Sequence, residues 1–441
     1  MSRILVTTLG SLGDLHPYIA LGLGLRDRGH EIVFVTIKDY QAAIEAVGFE
    51  FQPLGEDLMN VADPEMVAMM MDRQNGTERV FKDYLMVNLR DNYHHLLAAA
   101  KDVDFIVAHE VVFAAPLVAE MLKLDWATGI LAPGSFFSAY NPFVLPPYPF
   151  VAKFRWMGPK VNRLIRDAAK IVTRNWGDPV RQLRQELGLA PLQGNPIIDA
   201  KYSPELVLAL FSAVVGAPQP DWPPHTVQTG FPVYDGGNVR SLSDELEQFL
   251  AAGSPPIVFT LGSAAVVAPG RFFQVSIEAA IRLNRRAVLL IGNNPPLELP
   301  PELIAIDYAP YSQIFPRAAA IVHQGGIGTT AQALRSGRPT LIMPYSHDQP
   351  DNAARAERLG TSVTISRENY TVDRAVKALS ALLTDPSYTT RAEEIGRIVS
   401  SEDGIGLACE AIQSKLAVPA RAVDRWRSLS LGESDDGKLP I

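Results

Sequence analysis

The sequence predicts an α/β protein built from two doubly wound, Rossmann-like domains that face each other across a cleft. Three observations carry this. Short apolar runs alternate with helical stretches from residue 3 to about residue 131, and the alternation restarts at residue 257. Between the two lies a proline-rich break, APQPDWPPHTVQTGFPVYD over residues 217–235. A chain of 441 residues also needs two or three cores at roughly 100–200 residues per domain. Apolar strands alternating with helices imply a parallel sheet covered on both faces.

Arg3–Thr8 reads as the first buried strand. Pro17 fits the first turn of the helix that follows, and Gly29 its C-terminal cap. Glu31–Thr36 is the next strand, and Asp39 offers an N-cap to a helix ending before Gly48. Asp104–Ala108 and Trp126–Leu131 are strands, with a helix at Ala114–Leu122 between them. Residues 132–160 are dense in proline and aromatics and cannot form one helix, because each proline removes a donor and clashes with the preceding turn. That stretch reads either as a packed surface loop or as the wall of an apolar pocket. Residues 161–190 look helical. Beyond the break, strands are expected at Ile257–Leu261, Ala287–Ile291, Ile304–Asp307, Ala320–Val322 and Thr340–Met343, with helices at Phe272–Leu283 and Thr329–Arg335. The resulting division is a first domain over 1–216, a linker over 217–238 with one short strand, a second domain over 239–415, and a polar tail over 416–441.

Composition excludes several classes. Lys and Arg number 40 against 48 Asp and Glu, a net charge of −8, and the arginines are scattered. That disfavours nucleic acid held on a basic face. Cys409 is single, so no intrachain disulfide and no cysteine metal cluster can form, which fits a reducing compartment. No run reaches the roughly 18 apolar residues that span a bilayer, so no integral membrane segment is expected. The first apolar run stops at Thr7, short of the roughly 7–15 residues of a signal core. A cytoplasmic monomer or homodimer is the expectation.

The most informative stretch is AIVHQGGIGTTAQALRSGRPTLIMPYSHDQ, residues 320–349. A strand ends at Val322, and a glycine-rich loop leads into Thr329, Thr330 and a helix. Glycines let backbone approach an anion closely, while the helix start offers free N–H groups and a partial positive charge. This is a phosphate cradle without lysine. It is neither a GxxxxGK[ST] loop nor a dinucleotide fingerprint: the nearest GxGxxG, at Gly22 and Gly24, has Asp27 in place of the third glycine, which disfavours an NAD-dependent dehydrogenase. After the next strand, Asp348 and Gln349 offer acceptors and donors suited to sugar hydroxyls.

HQGGIGTTAQALRSGRP followed by PYSHDQ resembles the donor-binding signature of family-1 glycosyltransferases of the GT-B fold, in the bacterial branch of the sterol and antibiotic enzymes. The N-terminal SLGDLHPYIALGLGLRDRGHEIVFVT extends the likeness. By this resemblance Gly326, Gly328, Thr329 and Thr330 hold the diphosphate, with Gln324 hydrogen-bonding it, and Asp348 and Gln349 hold the sugar. Tyr308 stands where relatives often stack tryptophan on the base, and Gly262 and Ser263 add a nucleotide contact. Gln324 replaces a phosphate-binding histidine, with His323 one place earlier, either at the donor or satisfied by backbone. Gln332 replaces the glutamate that often reads the ribose.

The implied chemistry is inverting transfer of a sugar from a UDP- or dTDP-sugar co-substrate to a hydrophobic small-molecule acceptor (a phenol, macrolide, sterol or terpenoid), with no cofactor and no metal. Neither HExxH nor a suitably placed DxD pair is present. The base should come from the loop Gly10–Pro17, which also brings Gly13 to the donor. By resemblance Asp14 stands at the catalytic position. His16 is the rival, because a carboxylate at a helix start should be a weak base while histidine titrates near neutrality. N-capping is a competing role for Asp14. His109 stands where relatives place an orienting aspartate, so it pairs with Asp14 or simply ends a strand. Phe136, Phe137, Tyr140 and Phe143 line an acceptor pocket or belong to the core. A nucleotide-sugar epimerase and a catalytically silent nucleotide-sugar-binding protein are the competing functions.

Overall fold

The computed structural model describes residues 1–55, 63–236 and 242–416. The first sheet holds β1 (Arg3–Thr7), β2 (Glu31–Thr36), β3 (Glu50–Pro53), β4 (Phe105–His109), β5 (Asp125–Ile130), β6 (Leu206–Ala209) and β7 (Thr226–Gln228). Its spatial order is β3-β2-β1-β4-β5-β6-β7, and every pairing is parallel. The second sheet holds β8 (Ile257–Thr260), β9 (Ala287–Leu290), β10 (Leu303–Ile306), β11 (Ala320–His323), β12 (Thr340–Ile342) and β13 (Ser362–Thr364). Its order is β10-β9-β8-β11-β12-β13, again wholly parallel. The helices used below are α1 (Leu12–Arg26), α2 (Ala114–Leu122), α3 (Pro159–Val172), α4 (Ile327–Arg335), α5 (Gln349–Arg358) and α6 (Gly404–Leu416).

Alternation along the strands explains the two faces. Ile4 and Val6 point into a core with Tyr18 and Phe34, while Leu5 points into another with Val33 and Val35. Both faces are apolar because helices cover both, as a parallel sheet requires. In each sheet the strand order reverses between its first and fourth strands. Such a switch point opens a crevice at the strands' C-terminal ends, where α/β proteins bind ligands. The loops after β1 and β4, and after β8 and β11, therefore border the cleft.

Several elements differ from the sequence reading. α1 starts at Leu12, so Pro17 lies inside it and removes one N–H from its ladder. Its C-cap is Asp27, with Gly29 beyond it at φ +86°. Asp39 lies within a 3₁₀ turn, Lys38–Tyr40, and caps nothing, because the helix after it begins only at Gln41. Helices at Pro64–Met70 and Leu89–Ala99 fill the stretch between β3 and β4, which the apolar pattern does not mark. The short strand placed in the linker is β7, the edge of the first sheet. α6, counted with the second domain, packs on the first: a Cβ on Gly24 would lie 2.5 Å from Ile405 and 2.9 Å from Cys409. Ala408, Cys409 and Ile412, spaced for one helix face, join the core beneath α1. The tail from residue 417 lies outside the described residues, as does part of the linker.

The two halves are also fastened through a fully buried ion pair. Arg355 donates to Asp351 at 2.6 Å and to the Val215 carbonyl at 3.0 Å, while Asp351 accepts the Val144 N–H at 3.1 Å. One pair on α5 thus holds both the proline-rich loop and the approach to the linker. Removing either partner would leave a buried charge uncompensated, at a cost of about 3–5 kcal/mol. Among the described residues no helix is long and apolar enough to cross a membrane.

Candidate active site

Two strand–turn–helix junctions meet in the cleft. A Cβ added to Gly328, in the first turn of α4, would lie 3.6 Å from Gly13 Cα, in the first turn of α1. The two helix starts thus come to within ordinary van der Waals contact.

The α1 start is closed by its own side chains. Ser11 accepts the Gly13 N–H at 3.2 Å, and the Asp14 carboxylate accepts the Ser11 N–H at 2.7 Å and its hydroxyl at 3.1 Å. This reciprocal capping box satisfies two orphan donors. Gly10, at φ +128°, is required there because a Cβ would strike Asp14 Oδ2. The second oxygen, Asp14 Oδ1, stands 4.0 Å from His109 Nε2, which is too long for a hydrogen bond but close for a charge. His109, at the buried end of β4, packs edge-on against Tyr18, whose hydroxyl donates to the Gly129 carbonyl. Capping and a cleft-facing oxygen therefore coexist in one carboxylate, 30% of whose side chain remains exposed.

The acidities reverse the expectation. Burial in the cleft raises Asp14 above the usual carboxylate value, against the opposing pull of His109 and the Ser11 donors. Desolvation outweighs the helix dipole here. Burial pushes His16 down to about 4, with Asp235 opposing. Two residues along a helix is some 200° around it, so His16 points away from Asp14 and packs edge-on against Tyr234 of the linker at 5.3 Å. Burial thus strengthens Asp14 as a base and weakens His16, which is turned to the linker.

The α4 start is open. Gly326 is its N-cap, and no side chain caps it. His323 is wholly buried at the end of β11, its Nδ1 accepting the Gly325 N–H at 3.0 Å, and burial holds it down to about 3. It shapes the turn from beneath through Nδ1, while its Nε2 is buried with no partner in the protein. Gln324 packs against Gly262, which at φ +67° leaves room where a Cβ would collide with the carboxamide. Its Oε1 and the Thr330 hydroxyl are buried without a partner in the protein. Thr329 bonds the buried hydroxyl of Tyr311, which also lies 2.9 Å from Thr260 Oγ1. Ser263 is exposed on the adjoining turn.

Asp348 begins α5 and accepts from the Asn352 amide at 2.7 Å. The same amide donates to the Gly325 carbonyl at 2.9 Å, tying the two loops together. Burial raises Asp348 to about 7, and the charge of Asp14 contributes. Carboxylates from opposite domains thus share one cleft. Gln349 turns its carbonyl to the Tyr345 N–H at 2.9 Å.

Two residues that the sequence reading missed stand out. Asp235, on the linker, accepts the Gln332 amide at 2.8 Å on its carboxylate and the Tyr308 hydroxyl at 3.0 Å on its carbonyl. Lys201 pairs with Glu110, both nearly buried behind Asp14, and its ammonium lies 5.4 Å above the Phe137 ring. No local pattern marks either, since their partners are distant in sequence. On the acceptor side Phe136 is core: it is buried and stacks on Trp222 at 4.3 Å. Phe137 and Phe143 pack edge-on at 5.7 Å, and Tyr140 faces solvent. Among the described residues no group of three His, Cys, Asp or Glu is placed to hold a metal ion.

Two Rossmann-type sheets whose switch-point loops oppose a carboxylate to an uncapped glycine-rich helix start define a two-domain group-transfer enzyme of the GT-B type. Residues 4–128 match the glycosyltransferase family 28 N-terminal domain, and residues 276–403 the erythromycin biosynthesis protein CIII-like C-terminal domain. The chain is 32% identical to O-mycaminosyltylonolide 6-deoxyallosyltransferase of Streptomyces fradiae, over 93% of this chain and 97% of that one. It is 30% identical to glycosyltransferase GtfE of Amycolatopsis orientalis, over 95% and 100%. The glycosyltransferase SsfS6 of Streptomyces sp. SF2575, solved with thymidine diphosphate, superposes with a TM-score of 0.65 at 18% identity, covering 94% of this chain and 100% of that one. The chain belongs to the family-1-type GT-B glycosyltransferases of the antibiotic and sterol branch.

Proposed function

We propose that this glycosyltransferase transfers a sugar with inversion, and without a metal, from a UDP- or dTDP-sugar to a hydroxyl of a hydrophobic small molecule. One observation carries the reading: the start of α1, which holds Asp14, and the uncapped start of α4 meet at the Gly13–Gly328 approach. Asp14 takes the acceptor's hydroxyl proton. The oxygen attacks the anomeric carbon as the bond to the diphosphate breaks, and the diphosphate leaves toward the α4 start. The amides there and the Thr330 hydroxyl stabilise the charge that develops on it. Asp348 and Gln349 hold the sugar between the two. His109 orients Asp14 through charge and packing rather than a direct hydrogen bond.

Asp235 completes the donor site in this reading. Gln332 stands where relatives carry glutamate, and the carboxylate it holds restores an acid for the ribose hydroxyls. The neighbour solved with thymidine diphosphate supports a dTDP-sugar alongside UDP. The test is a donor-by-acceptor screen with mass detection, with and without chelator. The anomeric configuration of the product is then read by NMR. A β-glycoside from an α-linked donor, formed equally in chelator, is expected. Retained configuration or chelator-sensitive turnover overturns the mechanism.

A further inference from the structure

We propose that residues 148–174 form a docking surface for an anionic lipid bilayer. The stretch comprises a 3₁₀ segment, Pro149–Met157, followed directly by α3. Its large apolar side chains face water instead of a core. Trp156 is 79% exposed, Ile171 75%, Val172 74% and Leu164 69%, with Phe150 and Phe154 also exposed. Asn162 is the only fully buried residue of α3, and its amide donates to the Ala139 carbonyl at 3.0 Å. A polar residue therefore anchors the helix to the proline-rich loop while Leu164 and Ile171 point outward and Val161 and Ile165 are half-buried. Exposed apolar surface gathered this way marks an interaction site.

Charge chooses the partner. The stretch carries seven Lys or Arg against the single acid Asp167, a net +6 within a chain whose total is −8. Lys170 and Arg166 turn to Asp199 and Asp221, which leaves Lys153, Lys160, Arg163 and Arg174 exposed beside the apolar residues. At about 100° per residue, Leu164, Ala168, Ile171 and Val172 fall on one arc of α3 and Lys160 and Arg163 on the adjoining one, with Arg174 exposed just past the helix end. An apolar face rich in Trp, Phe and Leu, flanked by Lys and Arg, suits the headgroup boundary of an anionic membrane: the ring and alkyl groups enter the acyl edge while the cations meet the phosphates. The Asn162–Ala139 hydrogen bond ties this surface to the loop that carries Phe137 and Phe143.

Sedimentation of the full chain with vesicles tests this, using phosphatidylglycerol–phosphatidylcholine vesicles against phosphatidylcholine alone. Binding to the anionic vesicles, weakened by high salt, is expected. The W156S/L164S/I171S variant should bind at least about tenfold more weakly, while folding and transfer to a soluble acceptor stay unchanged. The K160E/R163E variant should lose the salt-sensitive part. Wild-type protein that stays in the supernatant, or variants that bind as well as it does, overturn the proposal. So does a concentration-dependent dimer that the apolar variant abolishes and vesicles do not compete away, since a second copy then covers this face. The measurement uses neither donor nor acceptor, so its failure leaves the catalytic reading standing.

Discussion

The two helix starts that meet at Gly13 and Gly328 share one plan, strand then tight turn then helix, and end in opposite chemical states. The start of α1 is capped by Ser11 and Asp14, so a carboxylate already occupies the electropositive end of that helix. The start of α4 has a glycine cap and no side chain over it. A helix start that supplies its own anion keeps a base in place. One that supplies none is left to bind an anion from outside. On the mechanism proposed above, a single cleft holds both a proton acceptor and a cradle for the leaving group because only one of the two junctions is self-satisfied.

The sharpest way to break this contrast is at Asp14. Asp14→Asn keeps an acceptor for the Ser11 N–H and removes the base, so kcat should fall about 10²–10⁴-fold. Calorimetry should find UDP or dTDP bound within a few-fold of wild type; parallel losses of both would mean that Asp14 serves only to shape the cleft. In the wild type, kcat/KM should fall as pH drops and Asp14 takes up a proton, with a midpoint above the usual carboxylate value. His16→Asn should leave that limb where it is, and a limb that vanished would transfer the role of base to His16.

Giving the second junction the first one's cap is the converse test. Gly326 has the extended backbone of an N-cap, so Gly326→Asp can close α4, with only the Gln324 carboxamide end needing to shift. Nucleotide affinity should drop by about tenfold or more as the new carboxylate repels the diphosphate, while the melting temperature holds or rises. Undiminished affinity would show that the diphosphate does not sit there. A smaller effect is expected at the ribose end. Gln332→Glu sets two carboxylates against each other at Asp235 and should weaken nucleotide binding by about 1 kcal/mol, and adding Asp235→Asn should restore it. A double variant no better than the single one would remove Asp235 from the site.

The mildest prediction concerns stability. Asp348 binds its proton more tightly folded, at about 7, than unfolded, near 3.8. Its contribution is therefore greatest below the unfolded value and is lost as pH climbs through the folded one. The melting temperature of wild type relative to Asp348→Asn should fall between about pH 4 and about pH 7. A constant difference would mean that burial in the cleft does not raise Asp348.

What could be read without a structure was whatever is local. β2 and α2 fall on Glu31–Thr36 and Ala114–Leu122, the segments their apolar patterns mark, because a buried strand and an amphipathic helix declare themselves within a few residues. The glycines and threonines from Gly325 to Thr330 declare a glycine-capped helix start for the same reason. Strand order, the return of α6 to the first domain, the burial of Phe136, the reversed acidities of Asp14 and His16 and the outward face of α3 came only from the folded chain. Each depends on what a residue meets from far along the sequence. Asp235 finds Gln332 across the linker, and Asp14 finds Asp348 across the cleft. Desolvation and charge coupling act through space, and no window of neighbouring residues contains them.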